Sequence, residues 1–270
     1  MRIQDVDFTD LMALEPHGPD TFVGITARYP WGRIFGGQVL AQGLRAAAHT
    51  VREDVSVHSL HAYFIRPGTH REPVRYEVAR LRDGRSFETR LVVARQSGGA
   101  ILNLACSFQV EEEQADVQIV ELPEDLPGPD DPSLDDTGWG AMLHRRALPT
   151  RKGWAAHWIR LDVDLGDDPV LQACALAFMS DAAPTSAARS SHPDSAGDRS
   201  DRELFMGASL DHAIWFHRPC RVDQWHYFDM DSHGLIGGRG LTTGNVLTAD
   251  GTHIASVAQE VLLRRRRDES

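Results

Sequence analysis

FGGQVLAQGLRAAAHTV, Phe35 to Val51, is the stretch whose reading decides the fold. At 100° per residue, Val39, Leu40, Leu44, Ala47, Ala48 and Val51 form a broad apolar face, while Gln38, Gln42, Arg45 and His49 share one narrow polar stripe. The spacing predicts a largely enclosed helix over 35–51. Its small residues, Ala41, Gly43 and Ala46 to Ala48, let another layer approach closely. Gly43 costs about 1 kcal/mol relative to Ala, so packing is expected to compensate. Gly36 and Gly37 leave backbone N–H groups unobstructed at the positive end of the helix dipole, where a developing oxyanion can be held. The same pair is equally readable as a plain loop running into a helix.

Downstream of this helix, period-two alternation predicts strands over 57–65, 74–78, 87–95 and 101–110, with turns at Asp83-Gly84 and Gly98-Gly99. One helix followed by four antiparallel strands is the expected unit. From Glu111 the composition turns acidic and Pro-rich (EEEQ, then LPEDLPGPDDPSLDD), as a connector crossing a surface would. A strand over 154–165 follows, and Asp167-Asp168-Pro169 is a helix start, because the N–H that Pro lacks has no partner in a first turn. The helix from Val170 to Ser180, VLQACALAFMS, is apolar on nearly every side and belongs inside the molecule. Residues 182–203 are small and polar and read as a mobile loop. Four further strands are expected over 208–217, 225–231, 240–248 and 253–263.

Composition narrows the function classes. The 39 acidic residues outnumber the 28 basic ones, for a net charge of -11, which argues against nucleic acid as a partner. The basic block Arg264 to Arg267 runs straight into Asp-Glu-Ser and reads as a solvated tail. The longest apolar run, Ala173 to Met179, is far short of the roughly 20 residues that span a bilayer, so no stable membrane insertion is expected. The acidic MRIQDVDFTD start lacks the apolar core of a signal peptide. Cys106, Cys174 and Cys220 are widely spaced in apolar company, as in a reduced, cytoplasmic protein. No metal-ligand spacing occurs, and no metal or separate cofactor is expected.

An internal repeat organises the chain. SLHAYFIRP at Ser59 to Pro67 echoes SLDHAIWFHRP at Ser209 to Pro219, and the last strand of each half ends on a glutamine, Gln109 and Gln259. Two copies of a buried helix wrapped by an antiparallel sheet make an α+β double hot-dog fold. The expected division is a first repeat over 1–110, a connector over 111–150 and a second repeat over 151–270.

Five collinear stretches, GRIFGGQVLAQGL, VHSLHAYFIRPG, LRDGRSFETR, SLDHAIWFHRP and ASVAQE, resemble the acyl-CoA thioesterase II family over nearly the whole chain. The match is weakest over 111–153 and 182–205. The resemblance implies hydrolysis of acyl-coenzyme A to a fatty acid and coenzyme A, with neither metal nor covalent intermediate. It also implies a catalytic trio, carried over motif by motif to Asp181 in FMSD, Ser209 in ASLDH and Gln259 in VAQE. On the residues alone, Asp181 could simply end its helix before Pro184, Ser209 could be a strand-edge hydroxyl and Gln259 a half-buried amide.

The chemistry fits those residue types. Thioester hydrolysis needs an oriented water, an acceptor for its proton and donors for the oxyanion. The leaving thiol has a pKa near about 8.5 and needs little protonation. Asp181 would be the base, Ser209 and Gln259 would hold the water, and Gly36 and Gly37 are the nearest oxyanion donors. Strand parity points Asp211 and His212 to opposite faces, which rules them out as a joint acid–base pair. GASLD carries only the first half of GxSxG, and GGRGLTTG matches neither a Walker A loop nor GxGxxG. Two rivals remain: a hot-dog enoyl-CoA hydratase or dehydratase, disfavoured because His49 lies late on its helix, and a non-catalytic acyl-CoA binding module. The fold's habit of joining sheets edge to edge makes a homo-oligomer an expectation as well.

Overall fold

The computed structural model describes residues 2–138, 142–197 and 200–266. Its elements in chain order begin with α1 (Phe8–Met12), β1 (Glu15–Pro16), β2 (Thr21–Gly24) and α2 (Gly36–Ala48). The first repeat's sheet continues with β3 (Val55–Phe64), β4 (Val74–Asp83), β5 (Phe87–Gln96) and β6 (Gly99–Val110). The second half carries β7 (Asp135–Asp136), β8 (Leu143–Ala147), β9 (Trp154–Leu161), α3 (Pro169–Ser180), α4 (Pro184–Ser190) and α5 (Asp201–Leu204). It closes with β10 (Phe205–Ser209), β11 (Asp211–Phe216), β12 (His226–Ile236), β13 (Arg239–Thr248) and β14 (His253–Arg265).

These strands form one 14-stranded sheet in the order β1-β2-β4-β5-β6-β3-β11-β14-β13-β12-β9-β8-β7, with β10 paired to β14 beside β11. The two echoing segments are the strands that join the halves: Ser59 pairs with Trp215, His61 with Ala213 and Tyr63 with Asp211, antiparallel. The sheet wraps α2 and α3, which pack against each other with the start of α2 at the end of α3. This is a double hot-dog fold. A Cβ on Gly37 would lie 2.4 Å from the Phe178 carbonyl oxygen, so this glycine permits the helix contact. Gly43 has no such duty: a Cβ there would meet Leu104 at an ordinary 3.4 Å, contrary to the expectation of a compensating close approach.

Two residues of the polar stripe of α2, Gln38 and Gln42, are buried and satisfied. Gln38 accepts from the Tyr29 hydroxyl at 3.0 Å and donates to the Ile25 carbonyl at 3.0 Å. Gln42 accepts from Tyr76 at 2.6 Å and donates to the carbonyls of Leu11 and Ile25. A lone amide in a core costs a few kcal/mol, whereas these amides tie the N-terminal segment to the helix. At the start of α3, Asp168 accepts from the N–H groups of Val170 and Leu171 with Pro169 in the first turn, as the spacing predicts.

Four expectations are corrected. Part of the expected loop is a helix: α4, Pro184–Ser190, packs across β9, β12, β13 and β14, burying Pro184, Ala187, Ala188 and Ser190. Four buried positions in seven residues, three of them small and apolar, hold it there although its composition is polar. The expected strand over 208–217 is broken at Leu210 into β10 and β11. The connector's later part is strand as well, since Leu143–Ala147 pairs with β9. At the C-terminus, Arg264 and Arg265 are exposed but extend β14 opposite Met206 and Phe205, while Arg267 and the Asp-Glu-Ser after it lie outside the described residues.

Candidate active site

The apolar helix α3 ends at Asp181, which is only 7% exposed. Its carboxylate faces two donors: the Ser209 hydroxyl donates to Oδ1 at 2.8 Å, and the Gly37 N–H, in the first turn of α2, donates to Oδ2 at 2.9 Å. A Cβ on Gly36 would lie 2.6 Å from the same Oδ2, so the Gly-Gly pair lets a carboxylate from the other repeat dock on this helix start. Burial pushes the Asp181 pKa up to about 6, against the pull of Ser209, Gly37 and the Arg33 charge.

Gln259, fully buried on β14, donates through Nε2 to the Ser209 oxygen at 2.9 Å. Asp181, Ser209 and Gln259, the outer two 78 residues apart in sequence, therefore meet around one hydroxyl. The Gly37 N–H, expected to face an oxyanion, is given to Asp181 instead.

One partner escaped the sequence reading. His212 is 1% exposed, and its Nδ1 lies 2.6 Å from Gln259 Oε1 while its Nε2 lies 2.8 Å from the Ser180 hydroxyl. Burial lowers its pKa to about 4, so the ring is neutral at physiological pH. An amide oxygen only accepts, so Nδ1 carries the proton and Nε2 faces the Ser180 hydroxyl, which also lies 2.9 Å from the Ala177 carbonyl. The tautomer thus fixes which end of the Gln259 amide faces Ser209. Parity correctly separates His212 from Asp211, but it missed a β-bulge: four steps from Ser209 to Ala213 lie opposite three from Val261 to Ala258. The extra residue turns Ser209 and His212, three apart, toward the same glutamine. Nothing in the sequence marks that bulge.

Among the described residues no group of His, Cys, Asp or Glu is placed to hold a metal ion, and no helix is long and apolar enough to cross a membrane. The three cysteines are unpaired, with Cys106 and Cys174 buried.

Fold and site together define a double hot-dog thioesterase class. Residues 25–109 match the acyl-CoA thioesterase N-terminal domain and residues 122–263 the acyl-CoA thioesterase C-terminal domain. The chain is 34% identical to acyl-coenzyme A thioesterase 8 of Mus musculus, over 97% of its own length and 90% of that protein's. It is 32% identical to acyl-CoA thioesterase 2 of Haemophilus influenzae, over 94% and 96% of the two lengths. Among solved structures, the acyl-CoA thioesterase II TesB2 from Mycobacterium marinum superposes with a TM-score of 0.83 at 36% identity, covering 96% of this chain and 99% of that one. The chain belongs to the acyl-CoA thioesterase II family, whose members are thioester hydrolases.

Proposed function

We propose that this protein hydrolyses acyl-CoA thioesters by direct attack of a water activated at Asp181 and held by Ser209 and Gln259. The observation that carries this reading is the contact of the three side chains at 2.8 and 2.9 Å beside a helix start. A carboxylate with a pKa near 6 is a stronger base than a free one and still ionised at pH 7. It takes one proton from water as the oxygen bonds to the carbonyl carbon. The C–S bond then breaks, the electron pair leaves on sulfur, and the proton returns to the thiolate, giving carboxylic acid and free coenzyme A.

Gly36 and Gly37 supply the oxyanion donors in this scheme. Gly37 holds the base in the resting site, and a proton arriving on Asp181 cancels the charge that retains its N–H. No metal or separate cofactor takes part. The buried thiols fit a reducing, cytoplasmic setting, and a homo-oligomer belongs to the same proposal, to be checked by sedimentation.

Thiol release from a panel of acyl-CoAs tests the reading. We expect release by the wild type and a loss of about 10²- to 10⁴-fold in Asp181→Ala. A hydratase or a binding module releases no thiol, and either result sinks the proposal.

A further inference from the structure

A second polar cluster lies under α4, apart from the trio. Arg145 on β8 and His157 on β9 meet Ser186 and Arg189 of α4, and these four line a cavity of about 270 Å³. Arg145 is 5% exposed, and its Nη2 donates to the Ser186 oxygen at 2.8 Å and to His157 Nε2. A guanidinium only donates, so His157 accepts at Nε2 and carries its proton on Nδ1. That Nδ1–H and the Nε–H groups of Arg145 and Arg189 are buried with no partner.

The cluster is cationic as well as rich in donors. Arg145 and Arg189 repel one another and Arg202, and all three line the cavity. Among the described residues neither Arg145 nor Arg189 has a carboxylate within ion-pair distance. Two acids line the cavity: Asp135 is exposed, and the oxygens of buried Asp201 accept from the Ser195 hydroxyl and the N–H groups of Ala196 and Gly197. Burying a cation without an anion is among the costliest arrangements a fold can hold, and the cavity beside buried Arg145, with half-buried Arg189 attracted only by Asp201 beyond ion-pair distance, has room for a further negative charge.

We propose that this cavity binds an oxyanion, a phosphate or carboxylate group, gripped by Arg145 and Arg189 with His157 Nδ1–H as a third donor. Guanidinium groups suit such a ligand because their planar donors match two oxygens at once. The site is close to the trio: a Cβ on Gly207 would lie 3.9 Å from Arg189 Nη2, and Gly207 is two residues from Ser209 on β10. Two extended residues span roughly 7 Å, which puts the anion on the order of 10 Å from the catalytic hydroxyl, within reach of a single acyl-CoA molecule. The anion then comes from the coenzyme's phosphates, from a carboxylate on the far end of the acyl chain, or from free phosphate.

Phosphate binding is read without turnover, by thermal shift of the full-length protein titrated with sodium phosphate against sodium chloride at matched ionic strength. The wild type should show a saturable rise in Tm, and Arg189→Gln, at a half-buried position, should weaken it about tenfold or more. Arg145→Gln should do the same where it folds. No saturable response in the wild type, or equal affinity in Arg189→Gln, overturns the proposal.

The source follows from KM with the same variant. A rise for acyl-CoA but not for acyl-pantetheine supports the coenzyme's phosphates, and a rise only for ω-carboxyacyl-CoA supports the acyl end. Unchanged KM values alongside lost phosphate binding support a free anion.

Discussion

Asp181, the proposed base, sits where two demands conflict: a base must be charged to work, and burial opposes charge. The balance at a pKa of about 6 predicts that kcat/KM rises with pH as this group ionises, half-complete near pH 6. A pH–rate profile checks it, and a flat profile between pH 5 and 7 would remove Asp181 from the role of base. The same shift has a cost in stability. Between pH 3.8 and about 6 the folded protein keeps a proton that the unfolded chain has released, so this group's contribution falls as pH rises through that window. His212 does not shape the rising limb, since it stays neutral above about pH 4. In the proposed scheme it is a positioning residue, and His212→Leu should lower kcat by about tenfold or more with little change in KM, because Gln259 can then rotate away from Ser209. His212→Asn keeps an N–H near the position of Nδ1 and should recover most of the loss. Equal defects in the two variants would reduce His212 to a packing role.

At the scale of elements, α2 is set by its glycines in opposite senses. Gly37→Ala drives a methyl into the Phe178 carbonyl and pries the helix start from Asp181, so loss of both folding stability and activity is expected. Gly43→Ala meets only ordinary contact and should stabilise by about 0.5–1 kcal/mol, read from the urea midpoint. How much was legible in the sequence follows the same division. Periodicity and capping residues disclosed both buried helices and most strands, because burial and hydrogen bonding act over a few neighbouring residues. α4 stayed hidden: its seven residues, PTSAARS, carry too little apolar signal, and it is held by the sheet beneath rather than by its own propensity. The trio came through motif resemblance; the Arg145 and His157 cluster and the bulge at Leu210 did not, since each depends on register between strands far apart in the chain.

The whole molecule shows why two repeats share one chain. The outer ends of the sheet are only two-residue strands, Glu15–Pro16 and Asp135–Asp136. The long edge that each half would otherwise expose is spent on the other, through β3 and β11. The site is divided in the same way, with Asp181, Ser209 and Gln259 from the second half and the Gly37 N–H from the first. Neither half can therefore be complete alone: separated at residue 110, each would expose a ten- or six-residue central strand and an unpartnered apolar helix face. Expressed singly, residues 1–110 and 111–270 should aggregate and release no thiol from acyl-CoA. Co-expressed, they should elute together in size-exclusion chromatography and recover activity, because every contact between α2 and α3 and along the seam can still form. A second half that is active alone would show that the Gly37 N–H, and with it the whole first repeat, is dispensable to the chemistry.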